Sequence, residues 1–279
     1  MRRIAVIGGV IALALAIAVA WAREDRAVVQ IYPTADRLPA NLLRVYIVFD
    51  RPMSAGESAE HLTLLDDTGR AVEKPFLQLE EELWDASGQR VTVLFDPGRI
   101  KRGLRANLES GPPLVAGRRY TLVVDGGWRD ANGRPLGAPM AKTFEAVADD
   151  RTIPVVFDWT IDAPASGTRD ALVLRFPEIL DRALLASTIS IVDPSGASVR
   201  GGVSIGVQER SWTLTPDHAW QEGNYQLRVA SELEDIAGNS LRRVFDADMT
   251  TSPASREDVQ SVVTRAFTIT GARPSRPTR

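Results

Sequence analysis

Cysteine is absent from this chain of 279 residues. Its absence excludes disulfides, thiolate catalysis and Cys-ligated metal sites. It also excludes the lipidated N-terminal cysteine that usually anchors a bacterial lipoprotein. His61 and His218 are the only two histidines. That is too little material for a multi-His metal site or a His-based triad. No Gly-rich phosphate loop, H-E-x-x-H or G-x-S-x-G occurs. The net charge of −3 lacks the basic field of a nucleic-acid binder. After the N-terminal segment no convincing amphipathic helix follows. No cofactor, resident metal, catalytic group or nucleic-acid partner is therefore expected.

What remains is a folded composition, 44% apolar and 25% charged, over a length that suits two domains. Seventeen Pro and 21 Gly point to many turns. Residues 1–22 read as a targeting segment. Arg2 and Arg3 precede a 19-residue uncharged run from Ile4 to Ala22, and Arg23, Glu24, Asp25 and Arg26 follow. Ala20-Trp21-Ala22 and Ala18-Val19-Ala20 are small-x-small cleavage patterns, so a secretory signal is the preferred reading. An uncleaved membrane anchor is the alternative, because the run is just long enough to span a bilayer. Either way the rest of the chain is expected outside the cytoplasm, in the periplasm or at the cell surface.

A repeat organises that exported part. "WRDANGRPL" (128–136) and "LEDIAGNSL" (233–241) share an Asp-x-x-Gly phrase, centred on Asp130 with Gly133 and on Asp235 with Gly238. Flanking blocks match as well: "LRVYIVFDRPM" (43–53) with "ALVLRFPEIL" (171–180), "LTLLDDTG" with "ISIVDPSG", "RVTVLFDP" with "SWTLTPD", "LVAGRRYTLVV" with "WQEGNYQLRV", and "TFEA" (143–146) with "VFDA" (244–247). Phe49 to Gly69 spans 20 residues, as does Phe176 to Gly196. Tyr120 to Asp130 spans 10, as does Tyr225 to Asp235. The blocks alternate apolar and polar with β-branched and aromatic residues, and Asp/Gly-rich turns separate them. This pattern predicts an all-β protein of two tandem antiparallel β-sandwiches, over 29–146 and 153–249, behind an N-terminal signal or anchor helix. Asp130 and Asp235 are expected to bond backbone N–H groups two or three residues on. Gly133 and Gly238 are expected to supply positive φ.

The marks "FDRPM", "L-x-x-G-x-x-Y-x-L-x-V" and "D-x-x-G-N" resemble the bacterial Ig-like domain of the SbsA S-layer protein type. The second copy departs from it with "FPEIL" (176–180) and a Gly223–Tyr225 spacing one residue shorter. The resemblance implies Ig-like sandwiches serving as spacer, adhesive or accessory modules of the envelope. It transfers no catalytic residue.

Between Gly69 and Tyr120 the first copy carries 22 more residues than the second has between Gly196 and Tyr225. This insertion, about 95–114, places Arg99, Lys101, Arg102 and Arg105 within seven residues. They are candidate ligands for an anionic partner, set against a solvated loop whose cations pair locally with Glu80–Glu82 and Glu109. Trp84 and Trp128 border loops and could form a sugar-stacking platform in a carbohydrate-binding accessory protein, although packing use is the preferred reading. Asp149, Asp150, Asp246 and Asp248 are candidate calcium oxygens, but a solvated acidic linker accounts for them better. Glu80-Glu81-Glu82 is the sole basis for a carboxylate hydrolase, ranked last. The tail 250–279 reads as a linker, one added strand at 262–269 and a disordered basic end. The preferred function is a non-enzymatic binding or spacer module whose partner is an envelope protein or polysaccharide, with membrane contact only through an uncleaved N-terminus.

Overall fold

A computed structural model describes residues 28–246 and 261–271. The targeting segment 1–22 and the basic end beyond 271 lie outside the described residues, and so does Asp248. Among the described residues no helix is long and apolar enough to cross a membrane.

The chain is all-β, as its alternation predicts. In the first copy one sheet orders β1 (Val28–Tyr32), β3 (Arg44–Phe49), β6 (Arg90–Leu94) and β5 (Leu83–Trp84). The other orders β2 (Arg37–Pro39), β8 (Met140–Val147), β7 (Arg119–Val124) and β4 (Leu62–Leu65). In the second copy β12 (Gly201–Ile205), β13 (Ser211–Pro216), β10 (Leu172–Arg175) and β9 (Thr160–Asp162) form one sheet. The other contains β11 (Ile189–Val192), β14 (Gly223–Ala230) and β15 (Val262–Ile269). The second copy's strand pairs are antiparallel, whereas β2 runs parallel to β8.

Period-two burial produces the cores. Leu172, Leu174, Trp212 and Leu214 from one sheet of the second copy share a single cluster with Ile189, Ile191, Tyr225, Leu227, Val229 and Ile269 from the other. The two sheets thus close on each other as a sandwich. In the first copy Val45, Ile47, Phe49, Val91, Leu64, Tyr120, Leu122, Val124 and Phe144 are the buried alternates. Each such side chain contributes roughly 1.5–3 kcal/mol on leaving water.

Two features differ from the sequence reading. Residues 244–246 of "VFDA" form no strand. Phe245 is drawn into the preceding turn, where its N–H donates to Asn239 Oδ1 at 2.9 Å. β15 closes the second sandwich instead, beyond the expected boundary at 249, with Phe267 stacked on Tyr225 at 5.7 Å. The 22-residue insertion is not a plain loop either. It folds as α1 (Pro97–Ile100) and α2 (Arg105–Ser110), with Asp96 capping α1 through Gly98 N–H at 2.8 Å.

The described chain forms two compact units whose limits do not follow the repeat. One contains 28–31, 45–93 and 119–143; the other contains 32–44, 94–118 and everything described from 144 onward. The insertion and two further segments of the first copy, 32–44 and the stretch from 144, therefore belong to the same unit as the whole second copy. Within that unit Leu43 N–H donates to Ile236 O at 2.9 Å, and Asn41 Nδ2 donates to Asp150 O at 2.6 Å.

The repeated turns have the same backbone and different surroundings. Gly133 and Gly238 sit at φ of +77° and +84°. A Cβ on Gly133 would meet nothing within 4 Å, whereas one on Gly238 would lie 2.4 Å from Leu43 Cδ2. Gly133→Ala is therefore expected to cost about 1 kcal/mol, the strain of positive φ alone. Gly238→Ala should cost about 2–4 kcal/mol, because overpacking adds to that strain. Denaturant unfolding of the two variants measures the difference. Equal losses would contradict the assigned packing.

Candidate functional site

The two Asp-x-x-Gly turns begin with the same local chemistry. Asp130 Oδ1 accepts from the N–H groups of Asn132 and Arg134, each at 2.9 Å. Asp235 Oδ1 accepts from Ala237 at 2.8 Å and Asn239 at 2.9 Å. The bonds therefore reach two and four residues on, while the N–H three residues on, from Gly133 or Gly238, donates to the main-chain carbonyl of the Asp. Both carboxylates are buried.

Their surroundings then diverge at one matched position. Met53 bridges Asp130 as Leu180 bridges Asp235, so residues 51 and 178 correspond. Arg51 lies 3.1 Å from Asp130 Oδ2, and Arg134 adds a second cation at 2.8 Å. Burial works against the Asp130 carboxylate, but the N–H groups of Arg134 and Asn132 and the Arg134 guanidinium outweigh it and hold the pKa below the usual range. The second copy has Glu178 in place of a cation. Asp150, Glu178 and Asp235 present carboxylate oxygens within 4.8 Å of one another. Burial, then the charges of Asp235 and Asp150, push Glu178 up to about 7. Burial pushes Asp235 up to about 7 as well, against the hydrogen bonds of Asn239. The same nine-residue phrase thus gives an ionised Asp in one copy and a proton-sharing cluster in the other.

The cluster opens onto a groove in the second unit. One lobe, about 290 Å³, is lined by Asp149, Asp150, Glu178, Arg37 and Arg210 among others. A second lobe of about 510 Å³ shares Arg37, Val147, Ile179 and Arg210. Three carboxylates supply half or less of the six to eight oxygens that calcium takes. The chemistry on hand is proton uptake beside two arginines, with both signs of charge facing solvent. Asp150 came from the acidic linker. Glu178 was missed, because its only signal was a departure from the expected "F-x-x-P-M" pattern. Asp149, at the rim of the groove, and Asp246 both bind Arg151, Asp149 at 2.8 Å.

The structure engages the four insertion cations in four separate contacts. Arg99 is buried, and its guanidinium donates to the carbonyls of Gly111 at 2.9 Å, Ser110 at 3.3 Å and Pro112 at 3.4 Å. It holds the two short helices together, so its charge serves the fold. Lys101 Nζ lies 4.4 Å over the Phe245 ring. Arg102 binds Asp246 at 3.2 Å, and Arg105 binds Glu109 at 2.7 Å. Glu82 accepts from Gly56 N–H, Ser58 N–H and the Trp84 indole, at 2.8, 2.6 and 2.7 Å. That use fastens a turn, so Glu82 serves the local backbone.

The sugar platform is corrected too. Trp128 is 0% exposed, T-shaped against Phe49 at 5.3 Å and stacked on His61 at 5.6 Å. A ring with no free face cannot stack on a ligand. Trp84 is half-buried beside it, with centroids 5.9 Å apart, and remains the one indole of the pair that reaches solvent.

No family model matches the chain, and no curated protein does. Several solved structures overlap it weakly. A fragment of Escherichia coli alpha-2-macroglobulin spanning domains MG0-NIE-MG1 is 10% identical, with a TM-score of 0.28, over 87% of this chain and 70% of that one. A chimeric titin Z1Z2 gives 10% identity and a TM-score of 0.26, over 85% and 92%. The FN1–FN3 domains of chicken CNTN1 give 14% and 0.22, over 87% and 67%.

Two predictions follow from the geometry. Folding raises the pKa of Glu178 and Asp235 to about 7, above the ordinary values of 4.5 and 3.8, so the folded chain binds an extra proton between those limits. Stability should therefore rise as pH falls from 8 towards 5, by roughly 1 kcal/mol, and Glu178→Gln should remove that gain while stabilising the protein at pH 8. Melting temperatures across this range check it, and a wild-type profile flat from 8 to 5 would contradict it. In the insertion, Arg99→Gln should cost about 2–3 kcal/mol, because a buried guanidinium loses its packing and its hydrogen bonds to three carbonyls. Arg105→Gln should cost under about 0.5 kcal/mol, since its ion pair is exposed. Urea unfolding of both variants separates a structural arginine from a surface one.

Proposed function

We propose that this chain is a non-enzymatic, exported module of a bacterial envelope, in which two tandem Ig-like sandwiches form a stiff spacer carrying a polar binding groove. The observation that carries this reading is the buried polar contact between segments of the two copies within the second unit. Asn41 and Asn239 both donate to Asp150 O, at 2.6 and 3.1 Å. The buried Glu209 carboxylate accepts from Thr34 N–H at 2.9 Å and Thr34 Oγ1 at 3.0 Å. Arg44 pairs with Glu234 and lies 3.6 Å from Asp181. A flexible tether has no use for such contacts, since each orders side chains at an entropic cost. The polar residues that suggested chemistry in the sequence are largely engaged in holding the fold, which favours a scaffold over a catalyst.

The resemblance to the SbsA type and the N-terminal apolar run support the envelope and export parts of this proposal. The partner is an envelope protein or polysaccharide that meets the groove of Arg37, Arg210, Asp149 and Glu178 with polar groups of both signs. Hydrogen exchange tests the spacer reading. The amides of Thr34, Leu43 and Asp150 should exchange as slowly as those of β14. Fast exchange at all three beside a protected β14 would mean a loose tether, and the reading would fail.

A further inference from the structure

Sheet edges are ordinarily guarded by brevity, charge, proline or a covering strand. Three edges of this protein follow that rule. β9 is three residues long and carries Asp162; β5 is two residues long; β2 ends in Pro39. In the first copy the outer edge of β8 is covered by β2, with Arg37, Leu38 and Pro39 opposite Glu145, Ala146 and Val147. β15 occupies the matching place in the second copy and has no such cover. The chain between β9 and β10 forms no strand there and gives one bond, from Ser166 N–H to Thr270 O at 2.9 Å. Among the described residues β15 otherwise pairs with β14 alone.

β15 is eight residues long, VVTRAFTI, without proline, glycine or a bulge in its register. Its one charged residue is turned away from duty as a guard: the Arg265 guanidinium donates to the carbonyls of Val156, Phe157 and Trp159, at 3.1, 3.3 and 2.6 Å. The phase of the free edge is fixed at both ends. Ser231 N–H bonds Ser261 O, so odd-numbered residues face β14, while Thr270 O points outward to Ser166. By antiparallel alternation the main-chain groups of Val262, Thr264, Ala266 and Thr268 then face outward. Thr264, Ala266 and Thr268 are exposed.

We propose that this edge is a dimerisation surface, pairing antiparallel with β15 of a second copy about a two-fold axis at Ala266. The sequence is self-complementary in that register. Ala266 meets its own symmetry mate, and Thr264 meets Thr268, a favourable cross-strand pair. Arg265 falls opposite Phe267. An axis at Arg265 would instead set two arginines face to face, which is unfavourable. The chosen register forms about six new main-chain hydrogen bonds and joins two three-stranded sheets into one.

The absence of cysteine makes the test clean. In the full-length chain, Ala266→Cys should form a disulfide-linked dimer on mild oxidation, because directly paired Cα atoms lie about 5.5 Å apart, within disulfide reach. Thr264→Cys, whose mate is Thr268, and Val203→Cys on the other sheet should cross-link at least tenfold more slowly. Sedimentation velocity should show the wild type dimerising with concentration. T264K/T268K should be monomeric, since like charges then face each other, and T264K/T268E should restore the dimer. A wild type that stays monomeric at high concentration, or equal cross-linking at all three cysteine positions, overturns the proposal. Circular dichroism of each variant separates lost pairing from lost folding, and a folded T264K/T268K that still dimerises overturns the register.

Discussion

The main-chain carbonyl of Asp150 is the point on which the second unit depends. It lies just after β8 and accepts hydrogen bonds from two buried amides, Asn41 of the first copy and Asn239 of the second. Asn41 Oδ1 also accepts from Asp150 N–H at 2.8 Å, so one side chain holds both polar groups of a single residue. Asn239 in turn donates to Asp235 Oδ2 at 2.7 Å and accepts from Phe245 N–H. One asparagine thereby ties the connecting segment, the turn carboxylate and the chain beyond the turn. Buried donors and acceptors left unpaired are costly, so these partners must stay together or the segment must leave the interior.

That arrangement explains why the repeated phrase diverged. A turn that only re-enters its own sheet, as at Asp130, can be neutralised by a local cation, and Arg51 and Arg134 fill that role. At Asp235 the corresponding volume faces the connecting segment, where Asp150 and Glu178 stand instead of arginines. The repeat conserves the hydrogen bonds that shape the backbone and changes the charges around them. The outcome is a carboxylate cluster that takes up a proton near neutral pH, beside a groove lined by Arg37 and Arg210.

The all-β class was legible because strand alternation is written locally: Val45, Ile47 and Phe49 point inward whatever their partners are. The Asp-Gly turns were legible for the same reason, since Asp235 and Gly238 act on their own backbone. The fate of charged side chains was not legible. Arg99 and Arg105 look alike in a basic loop, yet one is buried against three carbonyls and the other pairs in solvent with Glu109. Trp128 borders a Gly-rich turn and is nonetheless fully buried, because Phe49 and His61 reach it from distant sequence. The strand expected at 262–269 forms, whereas the one expected at "VFDA" from its match to "TFEA" does not. Tertiary bonding by Asn239 overrides that match and leaves 262–269 to complete the sheet.

The central claim is that Asn41 and Asn239 act jointly on Asp150. A double-mutant cycle of Asn41→Ala and Asn239→Ala, read by urea unfolding, tests it most directly. Either single variant leaves the Asp150 carbonyl one amide partner, whereas the double variant strands a half-buried acceptor. The account predicts that the double variant loses at least about 1 kcal/mol more than the sum of the singles. Losses that add to within about 0.5 kcal/mol would mean the two amides act independently, and would contradict it.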